Sequence, residues 1–170
     1  MEFNVNVLKN NLTNAQRIFL WEILIPSPIG GGDSNTFAVR AQSAEIPGAS
    51  FATINIPFKQ TAGIVVAGKL QYDHKWTATF VEGEDHKVYD ALYDWMNSIV
   101  NNVTGIGVGD PLYKTDMYLI LQTMTGDTSM KIKLKGAYVE SLEKVALDYS
   151  STDGIVKYSV TFAFDTFEKS

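Results

Sequence analysis

The chain has no cysteine in 170 residues, and that absence removes a disulfide framework, a thiolate zinc site and a cysteine nucleophile together. Two histidines leave almost no material for a histidine-rich metal cluster, so neither a metal nor a cofactor is expected. Charge is sparse as well, at 19% Asp, Glu, Lys and Arg against 45% hydrophobic residues, a balance that supplies a core and argues against disorder. Basic residues are in the minority, 14 against 19 acidic, for a net charge of -5 and a pI near 5.0. That is the wrong sign for a protein that grips phosphate backbones by counterion release. Long apolar runs are missing too: Ile18–Trp21 and Ile23–Pro26 fall far short of the roughly 20 residues of a spanning helix. Neither a transmembrane segment nor membrane binding is expected. Residues 1–14 alternate Asn with Val and Leu and carry no basic region ahead of an apolar one, unlike a secretory signal. Cytoplasmic synthesis is therefore expected, and the sequons Asn11-Leu12-Thr13 and Asn102-Val103-Thr104 read as chance. No repeat, low-complexity tract or linker divides the chain, which predicts one domain over 1–170 with a flexible N-terminal arm over about 1–14.

What the chain does have is period-two patterning. Tyr158, Val160, Phe162 and Phe164 alternate with polar residues and predict a half-buried strand. Val145, Leu147 and Tyr149 alternate just before it, and Ser150-Ser151-Thr152-Asp153-Gly154 supplies turn residues, so the two predict a hairpin. A second hairpin is predicted from Met117–Met124 and Ser129–Tyr138, joined by Thr125-Gly126-Asp127-Thr128. Ile18–Ile25, Phe37–Ala44, Phe51–Phe58 and Lys75–Glu82 read as four further strands, punctuated by Pro and Gly. Only Asp85–Val100 departs: Val88, Leu92, Trp95, Met96 and Ile99 form an apolar stripe of period 3.6. Eight strands around one helix predict a mainly β, antiparallel β-sandwich or barrel-like fold with that helix on a flank.

Several motifs invite a chemical reading that their surroundings do not sustain. Gly63-Ile64-Val65-Val66-Ala67-Gly68-Lys69 has the skeleton of a phosphate-binding loop, but Leu70 replaces the hydroxyl that binds magnesium and no helix follows. It reads as a tight loop or strand end. Gly105, Gly107 and Gly109 follow a helix, not a strand, and read as a flexible connector. Asp73-His74 and Asp85-His86 are neighbours in sequence, and adjacent residues on a strand point to opposite faces, so neither makes a catalytic pair. His86 instead suits the exposed first turn of the helix, with Glu84 and Asp85 placed to cap it and complement its dipole. Trp76, Phe80, Trp95, Tyr89 and Tyr93 allow a sugar-stacking platform, but Trp95 lies in the helix stripe, which favours helix–sheet core. Lys131, Lys133 and Lys135 share one face of one strand and need water or acidic neighbours to offset their repulsion.

Taken in order, Ile56-Pro57-Phe58-Lys59, Val65-Val66-Ala67-Gly68-Lys69, Trp76-Thr77-Ala78-Thr79-Phe80 and a helix carrying Trp95 resemble the tail tube proteins of contractile-tailed bacteriophages. The C-terminal segments Ile132-Lys133-Leu134-Lys135-Gly136-Ala137-Tyr138, Leu147-Asp148-Tyr149, Val160-Thr161-Phe162-Ala163-Phe164-Asp165 and Phe167-Glu168 extend the resemblance from Asn14 to the end. It implies the tube-protein fold and a non-enzymatic building block whose hexameric rings stack into a tube within a sheath, between baseplate and tail terminator proteins. It implies assembly in the host cytoplasm, residence in the virion tail, and transient passage of double-stranded DNA without sequence-specific binding. In the family the lumen-facing sheet includes the strands matching Phe37–Ala44, Phe51–Phe58, Met117–Met124 and Ser129–Tyr138. By alternation Arg40, Gln42, Thr53, Asn55, Lys131 and Lys133 become lumen candidates. Relatives present a mainly acidic channel, so acidic neighbours must offset the lysines here or the face is inverted. Pro47–Gly68 is expected to serve ring stacking, through Pro57, Ile64, Val65 and Val66. The inner tube of a tailocin, an extracellular contractile injection system or a type VI secretion system is the alternative of the same architecture, and a carbohydrate-binding β-sandwich the alternative from another class.

Overall fold

The computed structural model describes residues 5, 15–26, 33–151 and 154–170. Apart from residue 5, the expected arm over 1–14 lies outside the described residues, as does part of the expected turn at 150–154. Among the described residues the strands are β1 (Trp21–Leu24), β2 (Ala41–Ala44), β3 (Ser50–Phe58), β4 (Thr61–Gln71), β5 (Lys75–Val81), β6 (Thr115–Gln122), β7 (Thr128–Leu142), β8 (Lys157–Ala163) and β9 (Thr166–Lys169). The helices are α1 (Ser34–Arg40), α2 (Lys87–Ile99) and a single turn, α3 (Asp110–Tyr113). The seven-stranded sheet runs β1-β6-β7-β8-β5-β2, with β9 also beside β7, while β3 and β4 pair only with each other.

The long strand β7 organises the fold because it changes partners partway. Its first part pairs with β6 on one edge and, at Ile132–Lys135, with β9 on the other. From Tyr138 onward it pairs with β8. Between the two parts lies Gly136, at φ 63°, a left-handed backbone conformation that an L side chain resists. A Cβ there would also collide with the Asp165 carboxylate. The result is two antiparallel halves, β1-β6-β7-β9 and β7-β8-β5-β2, sharing one strand.

Period-two alternation turns Ile23, Met117, Leu119, Ile132, Leu134, Trp76, Phe80, Val160 and Phe162 into a common core. Helix α2 covers it with Val88, Ala91, Leu92 and Trp95. The Trp95 ring lies 6.0 Å from that of Phe162, and its Nε1–H donates to the Tyr113 carbonyl at 2.8 Å, which lets a large polar-edged ring be buried without an orphaned donor. The mainly antiparallel β architecture with one flanking helix is thus as expected, and the helix expected over Asp85–Val100 is found over Lys87–Ile99.

Three local expectations are corrected. Phe37–Ala44 is not one strand: Ser34–Arg40 is helical, its N-terminus capped by the Asp33 carboxylate accepting from the Asn35 amide at 3.1 Å, and only Ala41–Ala44 is extended. Val145–Tyr149 is not a strand either. Leu147 and Tyr149 lie fully in solvent, and the Asp148 side chain closes a local turn by accepting from the Ser150 amide and hydroxyl, so β8 takes the end of β7 as its partner instead. Finally, Gly63–Lys69 is neither loop nor strand end but the middle of β4.

Candidate functional site

Two surfaces lie outside the core and carry the residues singled out above. The first is the β3–β4 hairpin. Its strands are exposed almost throughout, and Phe51, Ile54, Ile56, Phe58, Ile64, Val65, Val66 and Leu70 all stand exposed. Register pairs Thr53 with Ala67, Ile54 with Val66, Asn55 with Val65 and Ile56 with Ile64. Side chains alternate across a strand, so Ile54, Ile56, Ile64 and Val66 make one wholly apolar face, and Thr53, Asn55, Val65 and Ala67 make an uncharged mixed face. The expected stacking residues Ile64, Val65 and Val66 therefore do not share a face; Val65 sits with the lumen candidates Thr53 and Asn55. Pro57 lies at the register shift between Ile56 and Phe58, where Pro removes no ladder hydrogen bond. Gly63 answers a steric demand: a Cβ there would strike the Ile56 carbonyl across the hairpin. The phosphate-loop glycines are thus hairpin glycines.

The second surface is the outer face of β1-β6-β7-β9. Glu22, Ile120 and Lys131 lie in one row across the strands, and Leu24, Tyr118, Lys133 and Glu168 in the next. Of the two ways to offset the lysine stripe, water or acidic neighbours, the acidic neighbours are present. Lys133 Nζ lies 2.8 Å from Asp116 Oδ2, and Lys135 Nζ 2.7 Å from Glu168 Oε2. Lys131 Nζ lies 4.0 Å from the centre of the Tyr118 ring, a cation–π distance. The hydrogen bond from Lys133 holds the Asp116 carboxyl below its ordinary pKa, helped by the Gly136 amide, and the same bond raises that of Lys133. The sign follows by linkage: Asp116 stabilises the fold above the ordinary carboxylate range, and this contribution fades as pH falls through its lowered value. Lys133 contributes below its ordinary pKa and loses that contribution as pH rises through its raised value.

The four strands expected to share one sheet are not brought together within the subunit: β6 and β7 are adjacent, β2 lies at the far end, and β3 pairs only with β4. Gln42 is on the short edge strand β2. Arg40 ends α1, so the alternation that nominated it does not apply. Its guanidinium donates to Glu82 Oε1 at 2.9 Å and pairs with Asp85 at 2.8 Å.

Glu82 had no signal in the sequence. Its side chain is only 1% exposed, and its carboxylate also accepts from the amides of Gly83 at 2.9 Å and Tyr89 at 2.7 Å. It thereby joins α1 and β5 to the first turn of α2, beside the expected cap residue Asp85, whose carboxylate accepts from the Arg40 and Lys87 side chains and from the Lys87 amide. Removing one partner of a buried, hydrogen-bonded ion pair costs about 3 kcal/mol or more. Glu82→Ala is therefore expected to lower the free energy of unfolding by that amount, read as a lower urea midpoint at an unchanged m-value. A loss under about 0.5 kcal/mol would show the pair to be a surface decoration.

The histidines are turn residues. His74, at φ 58°, packs its ring 4.5 Å from Tyr72, while the Asp73 carboxylate accepts from the Lys75 amide instead. His86 occupies the left-handed position that starts α2. Trp76, Phe80 and Trp95 are core, which leaves only Tyr89 and Tyr93 of the sugar-platform candidates in solvent. Gly105–Gly109 form a local turn closed by a Val100–Gly107 bridge and by Asn101, whose side chain accepts from Val103 and Thr104. Two clefts, of about 290 and 300 Å³, are lined by residues including Gln16, Arg17 and Gln122, and by Tyr93, Met96 and Tyr138; neither joins a nucleophile to a base and an orienting group.

Comparison with known proteins agrees with this geometry. A family described as phage tail tube protein matches residues 2–170. Tail tube protein gp19 of Enterobacteria phage T4 is 26% identical over 134 residues, which cover 78% of this chain and 81% of gp19. Among solved structures, a chain of the sheath–tube complex of the extracellular contractile injection system PVC, in the extended state, is matched with a TM-score of 0.65 at 18% identity, over 99% of each chain. The tube-terminating cap of the anti-feeding prophage is matched with a TM-score of 0.67 at 17% identity, over 91% of this chain and 90% of the cap. These two likenesses are likenesses of fold.

Proposed function

Because the chain belongs to the phage tail tube protein family, we propose that it closes into hexameric rings and that these rings stack into a hollow tail tube through which double-stranded DNA passes. The family is structural, and the subunit is a building block in this reading. The observation that carries the proposal is the β3–β4 hairpin: a two-stranded ribbon is marginal alone in water, and an exposed apolar patch of this extent marks an interface. The apolar face of Ile54, Ile56, Ile64 and Val66 suits a second copy of the chain in the adjacent ring. Thr53, Asn55 and Val65 on the other face then turn toward the lumen.

The edges of β1 and β9 support ring closure. Successive pairs in β1-β6-β7-β9 are antiparallel, so β1 and β9 run in opposite directions. Rotation about a ring axis preserves strand direction, and β9 of one subunit meets β1 of the next as an antiparallel pair. A head-to-tail contact of this kind generates a closed ring when the rotation closes, and closure removes the unpaired edges that would otherwise template aggregation. The Lys131 and Lys133 face then lines the channel, with sheath protein outside the tube and baseplate and terminator proteins at its ends. In this reading the protein resides in the virion tail after assembly in the host cytoplasm.

Sedimentation and negative-stain microscopy test the proposal. The expected result is rings or tubes at high concentration or on a nucleating baseplate. A stable monomer at every concentration, with no tube in assembled particles, would contradict it.

A further inference from the structure

The lysine face raises the question of how a channel bearing cations handles a polyanion. An array of unpaired lysines would hold a duplex by releasing its condensed counterions, with affinity falling steeply as salt rises. The arrangement here is different. Asp116 and Glu168 each hold one lysine of the same subunit at 2.8 and 2.7 Å. The third, Lys131, lies over the Tyr118 ring. Glu22 lies two strands away in the row of Lys131, about 10 Å at ordinary strand spacing, which is within screening range at moderate salt. Among the described residues, Lys131, Lys133 and Lys135 are thus matched in number on this face by Asp116, Glu168 and Glu22.

The other lumen candidates follow the same rule. Thr53, Asn55 and Gln42 carry no charge, and Arg40 is engaged by Glu82 and Asp85. The pairing within one subunit has a mechanical consequence, because a lysine already held by its own carboxylate does not need a phosphate to satisfy it. The partners also sit on three adjacent strands joined by backbone ladders, so the pairs move with the wall.

We infer that this face is a charge-compensated sliding surface, over which double-helical DNA passes without net counterion release and without retention. The inference rests on the reading that this face lines the channel. A basic wall would retain a duplex with a steep dependence on salt, whereas a compensated wall has no such dependence.

Open-ended tubes incubated with a short linear duplex, followed by nuclease digestion, measure the DNA held inside. For the wild type, protected duplex is expected to scale with its bulk concentration and to change by less than about twofold over a fourfold range of salt. Protection that climbs steeply as salt falls, or that vanishes at low salt, would overturn the inference. Asp116→Asn releases Lys133 in every subunit and is expected to raise protection at low salt at least about tenfold, with the gain lost at high salt. Glu168→Gln, at an exposed strand end, is expected to act the same way through Lys135 and serves if the first variant does not assemble. An unchanged salt response in assembled variant tubes would also overturn it. A separate arm locates the face: Lys131→Cys in finished tubes is expected to resist a maleimide carried on a particle too large to enter. Rapid labelling by that reagent would place the face outside and remove the channel reading itself, independently of the salt response.

Discussion

Replacing Ile64 with Asp is expected to abolish tube growth while leaving the subunit folded. The residue is 63% exposed in the subunit and shares the apolar hairpin face with Ile54, Ile56 and Val66, so an added charge costs the isolated chain little. In the stacked rings proposed above, the same position is buried. Loss of the apolar side chain there forfeits about 1.5–3 kcal/mol, and burial of an unpaired carboxylate adds several kcal/mol more. The penalty recurs in every subunit of every ring, which turns a local defect into a block on assembly. Val65→Asp, on the mixed face with Thr53 and Asn55, is expected to be tolerated far better. Pelletable tube and far-ultraviolet circular dichroism together read the result. Tubes of normal yield from Ile64→Asp would remove the stacking role, and loss of the native spectrum would place the hairpin in the core. Hydrogen exchange provides a parallel readout: amides of β3 and β4 should exchange quickly in the free subunit and slowly in tubes.

Trp95→Ala is expected to produce the reverse, a subunit that loses stability before assembly begins. Trp95 is fully buried, touches Phe162 and donates to the Tyr113 carbonyl. Truncation of a buried aromatic side chain to Ala costs about 3–5 kcal/mol, a large part of the roughly 5–15 kcal/mol that holds an ordinary domain together. Urea unfolding should show the free energy of unfolding lowered by that amount, read as a lower midpoint at an unchanged m-value. Tube yield should fall only as far as the folded fraction falls, because Trp95 is buried within its own subunit. A loss of under about 1 kcal/mol would mean that α2 sits on the sheet without supporting it.

The contrast between these two variants also separates what could be read in the sequence from what could not. Where an element buries one face within its own subunit, the pattern was legible. Alternation marks β6 and β7, the Trp95 stripe marks α2 to within two residues at each end, and the Lys131–Lys135 stripe left water or acidic neighbours to offset it, of which the structure shows the carboxylates of Asp116 and Glu168. Where the partner is absent from the subunit, Phe51–Phe58 was still legible as a strand, but β4 was not. Ile64-Val65-Val66 shows no alternation because neither face of β4 meets the core, and its glycines, present for close approach to β3, imitate a phosphate loop. Val145–Tyr149 alternates without a strand to pair with and stays in solvent. Helix α1 spans seven residues, too few for a 3.6-residue period to emerge. Glu82 was invisible for another reason: its partners Arg40 and Tyr89 lie 42 and 7 residues away, and a lone acid after a strand carries no mark of such a junction. The family resemblance was carried by the joint order of strand fragments, and the match over residues 2–170 agrees with it.

A reconstruction of the assembled tube by electron cryomicroscopy tests the central claim most directly. The account predicts closed rings in which β9 of each subunit pairs with β1 of the next, Ile54, Ile56, Ile64 and Val66 seat on a subunit of the adjacent ring, and Lys131 and Lys133 face the channel beside Asp116. Rings joined through other edges, with the β3–β4 hairpin exposed to solvent and the lysine face on the outer wall, would contradict it.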